Sequence, residues 1–277
     1  MSIQVMKIFN ESFKNVRTHS IEWLRVGFVP FMIWIFGYLF MIAIYTADGQ
    51  LSQLTGGLVG EPTTNQELTF SIILGNIVYY IAYLIGMVNL YINGFRYGVL
   101  REGGDQWWNL NFNMRFLKTI LYTILIGVLS AIYVLASVGI GFGIQTLSDI
   151  TALTVIAGIF LFIVGFYALI RLSLTFILIS IDQSQPIQKS WRLLKGNVLR
   201  LAVLHLLIAL VIILIALAGS IVIGLFAGLF VFISPWLATF LIIPGALFFV
   251  FIWFLSWALQ SKALSLVWLS FTEGEAF

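Results

Sequence analysis

The chain has 277 residues, 61% of them hydrophobic and only 9% charged, with a net charge of +3 and no Cys. A soluble domain carries about 25% charged residues and is about half apolar, so this composition excludes one and indicates an integral membrane protein. The missing Cys excludes disulfides, thiolate metal sites and cysteine nucleophiles.

Residues 1–25 read as an amphipathic N-terminal segment. Ile3, Met6, Phe9, Phe13 and Val16 recur at helical spacing, with Lys7, Glu11 and Lys14 opposite. The polar start and the lack of a small-residue cleavage site predict no cleavable signal peptide. A membrane-crossing helix needs about 20 mostly apolar residues. Six runs qualify, at 26–45, 70–92, 116–138, 151–174, 201–225 and 239–259.

The first connection, 46–68, is polar and rich in Gly and Thr, which suits a surface loop. Thr64 followed by Glu67 is a capping-box pattern that opens the second run. That run carries Tyr79, Tyr83, Gly86, Leu90, Asn93 and Tyr97 on one stripe, with Asn76 nearby. The stripe fits interhelical hydrogen bonding or the lining of a cavity. In the next connection, Trp107 and Trp108 are expected interfacial anchors. From Trp108 to Phe116, apolar residues alternate with Asn109, Asn111, Asn113 and Arg115, a strand-like period of two. Gly139, Gly141 and Gly143 end the third run; without a strand–turn–helix context they predict a flexible helix end, not a nucleotide loop. Asp149 is placed to cap the fourth helix.

Arg171 lies late in the fourth run, before the apolar stretch 172–181. It is either buried at a cost that demands a partner or held at head-group depth. Residues 186–198 form a predicted elbow, a surface helix turning into a spanning one. Ile187, Trp191, Leu194 and Val198 share an apolar face, with Lys189 and Arg192 opposite. Pro186 suits its first turn, and Gly196-Asn197 suits its end. Trp191 is a third expected anchor. In the fifth run Ala216, Ser220, Gly224 and Gly228 are four apart, which predicts close helix packing. In the sixth, Trp253, Phe254 and Trp257 suit lipid contact or an aromatic belt.

Lys and Arg gather before the first run, between the second and third, and between the fourth and fifth. The other connections contain no Lys or Arg, and the first two of them hold Asp48, Glu61, Glu67 and Asp149, so both termini are expected in the cytoplasm. The expected fold is an all-α membrane protein, one polytopic domain over 1–277, with six transmembrane helices in three hairpins. Three copies of one unit, a surface segment followed by a hairpin, are a possible plan. Arg96, Arg171 and Lys262 then stand near the inner end of each hairpin's second helix, and each precedes an acid, Asp105, Asp182 or Glu273. Around a common axis these cations would meet and call for a lipid phosphate; otherwise each snorkels separately.

The stretch 171–201 resembles a segment shared by several bacterial six-span families, among them the membrane domain sometimes fused to glycerophosphodiester phosphodiesterases. Ser190, Trp191, Arg192, Leu193, Lys195 and Gly196 carry the likeness, and Arg101-Glu102-Gly103-Gly104 looks like the corresponding earlier connection. The resemblance implies topology; no phosphodiesterase domain is present, so that activity is not implied.

His19 and His205 are the two His, and no nucleophile–base pair or metal-ligand spacing accompanies them. No catalytic residue, metal or cofactor is therefore assigned, and no nucleic acid is expected as a partner. The expected function is a non-enzymatic structural or accessory subunit of the bacterial cytoplasmic membrane. Anionic phospholipid is its expected partner, with a protein partner or a homo-oligomer also open. Arg96, Arg171, Lys262, Lys189 and Arg192 are the candidate head-group residues. The alternative is a transporter or channel for a small solute or lipid.

Overall fold

A computed structural model describes residues 2–49, 69–148, 151–233 and 242–272. They form the helices α1 (Val5–Thr18), α2 (Ser20–Ala47), α3 (Phe70–Leu100), α4 (Met114–Ser148), α5 (Thr151–Leu172), α6 (Thr175–Ser180), α7 (Pro186–Leu193), α8 (Val198–Ile233) and α9 (Ile242–Thr272). No strand occurs among the described residues. Six helical stretches are long and apolar enough to cross a membrane, α5 and α6 together making the fourth. The protein is an all-α, six-span membrane protein. The loop 50–68 with its capping box, the Asp149 cap and Glu273 lie outside the described residues.

The spanning helices overshoot the expected runs. At 1.5 Å per residue the 31 residues of α3 extend about 46 Å, well beyond a hydrocarbon core of about 30 Å. The surplus lies at the basic end, where the core is. Leu90, Ile92, Leu174, Ile177, Leu201, Leu204 and Leu259 are fully buried there. Toward the opposite end burial falls, and no residue in the most apolar stretch of α4 is buried. Leu121, Ile124, Val128 and Leu135 of that helix are exposed, as lipid-facing side chains are.

The α2–α3 hairpin is the most closely packed pair. A side chain on Gly86 would strike the Pro30 carbonyl oxygen at 2.6 Å and Trp34 at 3.0 Å. Helix α9 closes on α3 in the same way. A Cβ on Gly94 would lie 2.8 Å from the Trp257 ring and 2.9 Å from the Ser261 hydroxyl, and one on Gly98 would overlap the Ser265 hydroxyl. The close-approach motif is therefore Gly94 and Gly98 facing Ser261 and Ser265. It is not the expected face of α8: at Gly224 and Gly228 a Cβ would meet nothing within 4 Å, because both face outward. One residue away from Ser220, Gly219 is the contact glycine of α8, against the Phe248 ring. Ala216 is partly buried against the core.

The surface segments also differ in orientation from the expected faces. In α1 the buried line is Ile8, Ser12 and Val16, with Ile3 before it, while Met6 is 59% exposed. In α7 the buried residues are Pro186 and Ser190, continuing to Leu194. Packing against neighbouring helices, not a single apolar stripe, decides which face turns inward. The elbow itself forms: Gly196 takes φ +81°, a left-handed turn that favours glycine, and α8 follows. The period-two stretch forms no strand; residues 106–113 are extended and irregular.

Each surface segment rests on the second helix of the preceding hairpin. Residues 101–113 lie against α3, and α7 against α5 and α6, as chain continuity favours. Helix α1 packs on α9 and α8, at the far end of the chain. That contact closes the order of packing into a ring.

Candidate functional site

The extended segment 106–113 is held by asparagines. Asn89 and Asn93, one turn apart on α3, are both buried. The Asn89 side-chain oxygen accepts from the Asn111 backbone N–H at 2.6 Å. The Asn93 amide donates to the Asn109 carbonyl at 2.8 Å and to the Val26 carbonyl at 3.3 Å, and accepts from the Asn111 amide at 2.7 Å. Val26 has a free carbonyl for a definite reason. Pro30, inside α2, has no N–H to return to it. Asn93 supplies the missing donor from the neighbouring helix. The alternation of Asn109, Asn111 and Asn113 thus marks one side of an extended strap, not a strand in a sheet.

Beside the strap is a cavity of about 200 Å³ lined by Asn93, Arg96, Glu102, Gln106, Asn111 and Arg115. Its charges are paired. Arg115 Nε donates to both Asp182 oxygens, at 2.9 and 2.7 Å. Arg96 pairs with Glu102, lies 3.9 Å from Asp182, and donates to the Ser180 carbonyl at 2.9 Å. The Arg115 hydrogen bonds, with help from the Arg96 and Lys118 charges, hold the Asp182 carboxyl below its usual range. Asp105 and Asp182 follow Arg96 and Arg171 in the sequence, a likeness between hairpins that does not itself set the ion pairs. The actual pairs are Arg96–Glu102 and Arg115–Asp182.

Arg171 is 8% exposed and sits with Trp191. Its guanidinium lies 4.1 Å from the indole centroid and 5.6 Å from the Tyr167 ring. It donates to the Trp191 carbonyl, while the Ser190 hydroxyl donates to the Arg171 carbonyl at 2.7 Å. Two aromatic rings, the Trp191 carbonyl and the Tyr167 hydroxyl thus partner this cation, with no carboxylate in ion-pair range among the described residues. Trp191 is 40% exposed and serves α5 as a stacking plate. Trp107 packs edge-on against Phe28 at 5.4 Å and under Arg25 at 5.6 Å, whereas Trp108 is 76% exposed. Lys189 is tied to Gln183 at 2.9 Å, and Arg192 is exposed.

Lys262 is 5% exposed and donates to the Gly98 carbonyl at 2.9 Å. The three cations Arg96, Arg171 and Lys262 therefore have separate partners and do not share one pocket. Each still bridges to another hairpin unit. Arg96 reaches the Ser180 carbonyl of the second, Arg171 the Trp191 carbonyl of the third, and Lys262 the Gly98 carbonyl of the first. The bridges run in the same cyclic sense as the helix packing, although their acceptors are not equivalent.

Most of the α3 stripe packs against neighbouring helices, although Tyr83 is 40% exposed and Asn93 also lines the cavity beside the strap. Leu90, Asn93 and Tyr97 are buried, and Tyr79 and Tyr83 lie beside Tyr38 and Trp34 of α2. Trp253 and Trp257 likewise contact Phe31, Trp34 and Trp23 instead of turning wholly to lipid. Asn89 is the residue of this network that the sequence patterns left unmarked, and the contacts of Arg101 and Glu102 were equally unmarked. Asn89, four before Asn93 on a mostly apolar helix, was the available signal. Comparison with protein families, curated proteins and solved structures finds no match to this chain.

Proposed function

We propose that this chain is a non-enzymatic structural or accessory subunit of the bacterial cytoplasmic membrane that binds anionic phospholipid through its basic end. The observation that carries this reading is the set of exposed cations Lys14, Arg17, Arg101, Lys118, Arg192 and Lys195 at the end where the basic connections meet. Exposed Trp108 stands among them, as an aromatic at head-group depth does. Cations so placed attract anionic lipid at about 1 kcal/mol each. The basic face is taken to be cytoplasmic. A transporter would need polar groups along a passage, and the best candidate stripe is packed against α2 instead.

The test is thermal unfolding of the purified protein in nanodiscs of phosphatidylcholine alone or mixed with phosphatidylglycerol. The midpoint is expected to rise by several degrees with the anionic lipid, and high salt should shrink the gain by screening. Identical midpoints in the two lipids overturn the reading. Selective solute flux in proteoliposomes would favour the transporter.

A further inference from the structure

Lys262 is a buried ammonium without a carboxylate in ion-pair range among the described residues. Burying a charge is expensive unless it is paired and hydrogen-bonded. Its one recorded acceptor, the Gly98 carbonyl at the C-terminal end of α3, offers a partial negative charge only. An ammonium has three donors, so two remain for another partner.

The surroundings add cations. The backbone of Arg101 takes φ +60°, a left-handed conformation uncommon outside glycine, as it ends α3. Its guanidinium lies 5.7 Å from the Tyr97 ring centroid. Lys14 comes from α1, on the far side of a cavity of about 290 Å³ that Lys14, Arg101 and Lys262 line together. Asn15 and Thr18 contribute neutral hydrogen-bonding groups, and Glu11 is the one acid in the lining. His19, also in the lining, is bonded to Glu22 at 2.9 Å, and Tyr97 takes the other oxygen of that carboxylate. Three cations against one acid leave the lining positive. Pockets for small ligands run from about 300 Å³ upward, so this one suits a head group more than a whole lipid.

We propose that this cavity, between α1, α9 and the end of α3, is a binding site for a phosphate ester, with Lys14, Arg101 and Lys262 converging on its phosphate. The inference rests on the anionic-lipid reading for its ligand, and the chemistry fits the phosphodiester of a glycerophospholipid as well as a soluble phosphate ester. Arg101 supplies a planar fork suited to two phosphate oxygens; the lysines supply point charges. The site joins α1 to α3 and α9, so a bound phosphate would tie the first surface helix to two hairpins.

Two arms test it, both with the full chain. In the first, native mass spectrometry follows retention of phosphatidylglycerol by the wild type, by Lys14→Gln, by Arg101→Gln and by Arg200→Gln, an exposed cation outside the cavity. In the second, glycerol 3-phosphate is titrated into the same proteins in phosphatidylcholine nanodiscs. Lys14 and Arg101 are exposed, so their variants should fold even if Lys262→Gln does not. Loss of one charged hydrogen-bond donor should weaken binding about tenfold or more. That loss in the cavity variants, with Arg200→Gln like the wild type, supports the site. Weakening confined to glycerol 3-phosphate would keep the site for a soluble phosphate ester and place the retained lipid elsewhere on the basic end. Phosphatidylglycerol retained equally by all four proteins, with no glycerol 3-phosphate binding, overturns the site and leaves the general lipid reading standing.

Discussion

Asn93 does the work of several residues at once. It satisfies a carbonyl that Pro30 leaves open, anchors the Asn109 carbonyl and orients the Asn111 amide, all from a position 5% exposed. Truncation would leave the buried Val26 carbonyl and the half-buried Asn109 carbonyl and Asn111 amide without this partner, at about 1–3 kcal/mol for each that water cannot reach. Asn113, in contrast, is exposed, and its side chain accepts from the N–H groups of Arg115 and Phe116 at the start of α4. Loss of such a cap costs about 1 kcal/mol. Asn93→Ala is therefore expected to lose about 3 kcal/mol or more and Asn113→Ala about 1, read as unfolding midpoints in detergent. Equal losses would mean that the network is not what holds the strap.

Between helices, glycine position decides how near two backbones come. The atom that faces Gly86 is a backbone oxygen, which cannot swing aside as a side-chain end can. Gly86→Ala should therefore force α2 and α3 apart, at the 1–3 kcal/mol typical of overpacking. Gly224→Leu, on the outward face of α8, should stay within about 0.5 kcal/mol of the wild type. If Gly86→Ala is as stable as the wild type in thermal unfolding, the hairpin is looser than described. Spacing alone could not tell these glycines apart. Ala216, Ser220, Gly224 and Gly228 keep the four-residue rhythm, yet α8 is apolar on every side, so nothing in its sequence marks the inward face. Gly94 and Gly98 keep the same rhythm beside Asn89 and Asn93, and there the polar residues point to the buried side. The six spans were legible because lipid demands long apolar runs whatever their packing. The pairs Arg96–Glu102 and Arg115–Asp182 were not, since they depend on how the connections fold back onto the bundle.

At the scale of the whole molecule, α1 matters more than its place in the chain suggests. It precedes the first hairpin but packs on α9 and α8 of the last, and the Ile3 N–H donates to the Asn197 side chain at 3.2 Å. The other two surface segments rest on helices that immediately precede them, so α1 alone makes its contact across the full length of the sequence. Burial of Ile3, Ile8 and Val16 contributes about 1.5–3 kcal/mol apiece as an upper estimate, because the unfolded chain is not fully exposed. Removing residues 2–18 should therefore weaken the last hairpin more than the first. Hydrogen exchange by mass spectrometry can locate the effect, since local opening follows the loss of local packing. In the truncated protein, exchange is expected to rise across 258–268 of α9 and 198–208 of α8, with 75–90 of α3 nearly unchanged. A rise confined to α2 would show that α1 steadies only its sequence neighbour, and the ring of packing would be open at that point.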